Sequence, residues 1–160
     1  MTRIALTALA ALAAGCSTVQ QFVVEDAPDS ALAAIEQARV RECPAGRTLQ
    51  EARIGSDNDS RGVTIGDIAL TPLASDPSRA LRLRRLTIAP GGVVAWHTHE
   101  ATQGMALLVS GQATEFRNTC LDPIRYRAGD VAPEDAATAH GWRNESDEPA
   151  VFLVMHVVQR

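Results

Sequence analysis

The sequence predicts an all-β domain, a sandwich or barrel of short strands, preceded by a short helical segment. Beyond Gly62, apolar and alternating stretches of strand length recur at regular spacing. Between them fall turns rich in Gly and Pro, at Pro90-Gly91-Gly92, Ser110-Gly111, Ala128-Gly129-Asp130 and Ser146-Asp147-Glu148-Pro149. Before Gly62 the only helical periodicity is short. Asp29-Ser30 can cap a helix over 31–41 with Leu32, Ile35 and Ala38 on one face, and Cys43-Pro44-Ala45-Gly46 ends it. The polar run Gly55 to Ser60 is a loop.

The predicted strands run 63–70, 80–88, 93–99, 105–109, 113–118, 124–127 and 151–158. In the second, Leu81 and Leu83 lie on one face and Arg82 and Arg84 on the other. Arg84-Arg85 breaks that alternation and predicts a bulge or bend. No internal repeat or second boundary divides the chain. It separates into 1–16, a 17–60 tether with its helix and loop, and a 61–160 barrel. With 160 residues, 46% of them hydrophobic and 21% charged, one domain has enough apolar sequence for a core. A net charge of −4 and 4% aromatic residues speak against a nucleic-acid partner, which needs a basic surface and stacking rings.

The first residues read as an export signal. Arg3 precedes the apolar run Ile4 to Ala14, which is short of the roughly 20 residues of a membrane-spanning helix. The small residues before Cys16 resemble a lipobox, although Ala13 stands where Leu is commoner. On that reading Cys16 is lipidated, the protein is a periplasmic or outer-membrane lipoprotein, and its membrane contact is the lipid anchor only. The rival is ordinary cleavage after Ala13; a third reading leaves the segment uncleaved. Export leaves Cys43 and Cys120 as an even pair in an oxidising compartment. They bridge, stabilising by roughly 4 kcal/mol in the chain-entropy model, or remain as two buried thiols. No CxxC spacing favours zinc.

His97-Thr98-His99 places two imidazoles on one face of a strand, where both reach one ion. A lone strand histidine is ordinarily a surface or core residue, and the pair improves on that only modestly. The surrounding spacing adds the specificity. Gly91, five residues, His97-Thr98-His99, eleven residues and Gly111 form one motif. Gly129, five residues, Asp135-Ala136-Ala137, two residues, His140, three residues and Asn144 form another. Together they resemble the two motifs of the cupin superfamily, and the likeness extends over roughly 79–158. The resemblance implies a single cupin (jelly-roll-like) β-barrel with His97, His99 and His140 on a divalent transition metal: Fe, Mn, Ni, Cu or Zn.

Two departures qualify the resemblance. The motif's metal-binding Glu would fall at Gly104, which has no side chain; Gln103 reaches the ion only if the strand register shifts. The motif's Pro-x-Gly turn is Asp135-Ala136-Ala137 here, so that loop is expected to differ in shape. Glu134 is a candidate second-layer partner or general base, and so the candidate catalytic residue. Glu115 and Glu100 read as solvated carboxylates. Arg84 and Arg117 face either a pocket anion or the outer face of the sheet. Trp142 shares the face of His140 and is expected to line the substrate cavity, whereas Trp96 points away. His156 reads as structural unless it points inward. The function implied is a metal-dependent oxygenase or isomerase acting on a small molecule. The alternative is a non-catalytic envelope protein binding a small ligand or metal. A homodimer is a further expectation from the resemblance.

Overall fold

A computed structural model of the chain describes residues 29–160. Helix α1 (Asp29–Glu36) is followed by strands β1 (Arg39–Val40), β2 (Arg61–Leu73), β3 (Asp76–Thr98), β4 (Gln103–Ser110) and β5 (Gln112–Arg117). Then come β6 (Ile124–Arg127), β7 (Asp130–Glu134), β8 (Ala139–Arg143) and β9 (Ala150–Gln159). The strands form one curled sheet in the order β1-β7-β4-β9-β3-β8-β5-β6, with β2 added to β3. The all-β expectation holds. The proposed signal and lipidated Cys16 lie outside the described residues.

Several boundaries differ from the sequence reading, each for a local reason. The helix stops at Glu36, because Arg39 and Val40 pair in parallel with Asp130 and Val131, and the Arg39 guanidinium lies 2.7 Å from the Asp130 carboxylate. The two strands expected on either side of Pro90-Gly91-Gly92 are one long strand. Its first half pairs with β9 over Arg79–Ile88 and its second with β8 over Val93–Thr98, so β3 passes from one part of the sheet to the other. The irregularity expected at Arg84-Arg85 sits on the partner instead: Asp67 pairs with Arg84 and Ala69 with Leu83, leaving Ile68 as the extra residue.

The core joins Ile88, Leu108, Tyr126, Trp142 and Phe152, all buried. Each such side chain contributes about 1.5–3 kcal/mol by leaving water. Trp142 stands edge-on to both Tyr126 and Phe152, with ring centroids 4.9 and 5.0 Å away. The hairpin between β4 and β5 turns on Gly111, at φ 79° and with its Cα packed against the Pro149 carbonyl, where a side chain would be strained. Asn144 closes the opposite turn: its amide donates to the Ile88 and Glu148 carbonyls and its oxygen accepts from Ser146.

Cys43 and Cys120 are joined in a disulfide with their Cα atoms 5.3 Å apart. Leu49 donates to the Thr119 carbonyl, Arg53 to that of Asn118, and Arg47 pairs with Asp122. The 43–53 segment is therefore laid along the end of β5. Farther on, Gly55 packs on the face of Trp96, and Asp57 receives both arms of the Arg143 guanidinium. Trp96 thus covers the outside of the sheet, as its place beside His97 implied.

Candidate metal centre

Residues two apart on a strand share a face, which aims His97 and His99 together. A bulge brings in the third histidine. Val94 pairs with Trp142 and His97 with His140, so three steps on β3 match two on β8. Without the extra residue either His97 or Val94 would turn outward. The bulge serves the site a second time, because its Ala95 carbonyl accepts a hydrogen bond from His97 Nδ1 at 2.9 Å. That fixes the tautomer and leaves the Nε2 lone pair facing inward.

Glu115 does the same for His140. The carboxylate is fully buried, and Oε1 accepts from His140 Nδ1 at 2.6 Å and from Arg117 Nε at 2.9 Å. Its Oε2 accepts from the Tyr126 hydroxyl at 2.8 Å. Burial pushes this carboxyl up, but the His140, Arg117 and Tyr126 contacts outweigh that and hold it below the usual carboxylate range. Burial and the Glu115 charge raise the Tyr126 phenol well above its ordinary value. His99 Nδ1 lies 3.2 Å from the Thr102 hydroxyl, which also leaves its Nε2 to the interior.

The three rings stand at the corners of a nearly equilateral triangle, with centroids 4.7, 4.9 and 5.0 Å apart. His99 Nε2 and His140 Nε2 are 3.0 Å apart, a spacing that fits two imidazoles on one ion at about 2.0–2.1 Å. Burial lowers the His99 pKa to about 4, and it lowers that of His97 with help from the neighbouring His140. Both rings are therefore neutral at neutral pH, the form in which imidazole binds metal. The donor set fits a transition ion.

A second group adjoins the first through His99, made of His99, Glu134 and His156. Glu134 on β7 and His156 on β9 both pair with Gly104 on the strand between them. Having no side chain, Gly104 lets the two reach each other across β4, with Glu134 Oε2 2.5 Å from His156 Nε2. Glu134 Oε1 lies 3.5 Å from His140 Nε2 and 4.0 Å from His99 Nε2. Burial raises the Glu134 carboxyl, but the His156 hydrogen bond and the imidazoles around it prevail, and its pKa is lowered. The acid missing at Gly104 thus enters from the next strand.

Residues 84–156 match the Cupin_2 family, a cupin domain. That stretch of the barrel is similar to a cupin domain. Among solved structures, the chain is similar to KdgF from a Halomonas species, at 19% identity and TM-score 0.52 over 64% of this chain and 88% of that one. It is also similar to the Cupin_2 domain of an XRE-family transcriptional regulator from Enterobacter cloacae, at 17% identity and TM-score 0.49 over 62% of this chain and all of that one. At 19% identity the likeness to KdgF is one of fold. No curated protein matches the sequence.

The barrel gathers His97, His99, His140 and Glu134, and buried Trp142 lines the cavity above them. Gln103 is a correction. It pairs with Val157, so it shares that residue's face rather than the His156 face, and its side chain is exposed. A second correction concerns Glu115, read from sequence as solvated: it is fully buried and anchors His140. Arg117 is buried beside it, donating to the Pro133 carbonyl as well, and takes no part in the cavity wall. His156 does point inward. The signal for Glu115 was its two-residue spacing from Arg117, which puts opposite charges on one face of a strand.

Asp135-Ala136-Ala137 forms a turn closed by hydrogen bonds to Asp135. Thr138 N–H donates to the Asp135 carbonyl at 2.9 Å, and Asp135 Oδ1 accepts from Ala137 N–H and the Thr138 hydroxyl. The aspartate caps the turn, which contains no glycine. It ends on Ala139, directly before His140.

Proposed function

We propose that this cupin barrel binds one divalent transition metal on the Nε2 atoms of His97, His99 and His140 and acts on a small molecule. The observation that carries this is the orientation of the rings. His97 and His140 each spend Nδ1 on a built acceptor, and all three Nε2 atoms face one point. Neutral imidazoles with a neighbouring carboxylate suit Fe(II), Mn(II), Ni(II), Cu(II) or Zn(II). When bound, such an ion supplies Lewis-acid polarisation or an open coordination position.

The chain's own groups supply the rest. Glu134, ionised and beside two of the ring nitrogens, takes a proton from substrate or water at Oε1. His156 holds the other oxygen, which keeps that carboxylate aimed at the centre. Trp142 closes one wall and keeps bulk water from the rings. The Cys43–Cys120 disulfide supports an oxidising compartment, in keeping with an exported protein.

The test is calorimetric titration of metal-depleted full chain with each first-row divalent ion, followed by oxygen-consumption and product assays over a substrate panel. One ion per chain is expected, lost in His97→Ala and His140→Ala. Glu134→Gln is expected to keep the ion and lose turnover. No ion bound by the wild type, or an unaltered His97→Ala, overturns the proposal. A metal-binding protein that turns over nothing in the panel, and in which Glu134→Gln changes no ligand affinity, is a binder.

A further inference from the structure

A cavity of about 470 Å³ opens above the metal centre, and its wall carries two arginines that make no ion pair among the described residues. Arg82 and Arg84 stand two apart on β3 and face this cavity, whereas Leu81, just before them, is exposed on the opposite face. The alternation noted in the sequence is thus inverted from the common arrangement: charge points in and leucine out. Both Nε atoms are buried and lack a hydrogen-bond partner among the described residues. The contact recorded for either guanidinium is Arg84 Nη2 with His156 Nδ1, at 3.5 Å.

Both side chains are half-buried, and two like charges held side by side at such a wall are costly unless an anion answers them. Burial and the neighbouring Arg82 charge both lower the pKa of Arg84, the direction expected where that anion has yet to bind. Of the acids nearby, Glu134 is engaged by His156, and Asp67 is an exposed cross-strand neighbour making no ion pair with Arg84. We infer that Arg82 and Arg84 form an anion subsite, and that the small molecule taken by the cupin barrel is a carboxylic acid bound as its carboxylate.

Carboxylate rather than phosphate follows from what surrounds the pair. A phosphate cradle ordinarily adds backbone N–H groups from a helix start or a glycine-rich loop. Here the wall is strand, and Arg82 and Arg84 sit where β3 is paired on both sides, with β2 and β9, so its amides are spent on the sheet. Two planar guanidiniums match one carboxylate, while the Glu134 charge opposes a dianion. Val63, Ile65, Leu86 and Trp142 line the remaining wall and call for an apolar body. The subsite lies one imidazole from the centre, since His156 touches Arg84 through Nδ1 and Glu134 through Nε2. The carbon next to the carboxylate is then presented to the metal centre. This last step rests on the metal reading; the carboxylate subsite itself does not.

The experiment measures binding to metal-free full chain, so that no ion competes as the anion's partner. Isocaproate and phenylacetate are each titrated against their primary amides, with inorganic phosphate as a competitor. The carboxylates are expected to bind at least about tenfold more tightly than the amides, and phosphate to leave them in place. Arg82→Gln/Arg84→Gln is expected to remove that preference, while Arg82→Lys keeps part of it. Equal binding of acid and amide, an unchanged double variant, no binding of either acid, or displacement by phosphate at equal concentration overturns the subsite. The acid–amide comparison needs no variant, so it stands even if the double variant fails to fold. Loss of metal binding in wild type, with the acid preference intact, would sink the metal reading and leave this one standing.

Discussion

A methyl group placed on Gly104 would lie 1.8 Å from the Met155 carbonyl oxygen and 2.6 Å from the His156 ring, and the first of these is backbone. Gly104→Ala is therefore expected to cost about 1–3 kcal/mol, read as a lowered urea midpoint. Gly104→Glu is not expected to restore the carboxylate ligand that the cupin motif carries there, because His156 and Glu134 already fill that place. Metal titration checks it: tighter binding by Gly104→Glu would contradict the arrangement. Glu115 is the second telling residue. Glu115→Gln keeps the shape but weakens the hold on His140, and metal affinity is expected to fall about 10–100-fold. Glu115→Ala strands the buried Arg117 and is expected to cost about 3–5 kcal/mol of stability as well. The sequence exposed the histidines because their spacing is a motif. It concealed Glu115, Arg117 and His156 because a buried charge and a solvated one are written with the same letters, and only cross-strand register tells them apart.

Among the elements, the strands missing from the periodicity reading were β7, β8 and the two-residue β1. β7 reads Asp130-Val131-Ala132-Pro133-Glu134, and its buried positions include both acids. Asp130 is held by Arg39 and by the Arg127 amide, and Glu134 by His156, so a strand that looks polar is in fact interior. In β8 the buried set is His140, Gly141 and Trp142, again without a β-branched run. Function had replaced the apolar pattern in both. By contrast β9, with alternating burial throughout, was plain to read. The disulfide belongs to this scale too, tying the 43–53 segment to the end of β5 across a sequence separation of 77. Cys43→Ser/Cys120→Ser is expected to lose about 2–4 kcal/mol, measured by urea unfolding, and reduction of the wild type is expected to match it. No change on reduction would mean that the hydrogen bonds from Leu49 and Arg53 hold the segment unaided.

For the molecule as a whole, the buried imidazoles couple stability to pH. An ordinary imidazole titrates near 6.5, whereas burial brings His99 to about 4 and lowers His97 as well. Between those values the unfolded chain binds protons that the folded chain refuses, so metal-free protein loses stability as pH falls from about 6.5 toward 4. Glu115 and Glu134 add to this lower down. Their contribution is present above the unfolded carboxylate value and is lost as pH falls through their depressed folded values. Urea midpoints are expected to fall between about pH 7 and about pH 5, with a shallower fall in His99→Gln, and a rise would contradict the assignment. Bound metal should steepen the dependence, since protons and ion compete for the same nitrogens. The central claim is the shared focus of three Nε2 atoms, and a crystal of the full chain soaked in Mn(II) tests it most directly. An anomalous peak at about 2.0–2.3 Å from Nε2 of His97, His99 and His140 is the expected result. No peak among those rings, or an ion bound elsewhere on the barrel, would contradict it.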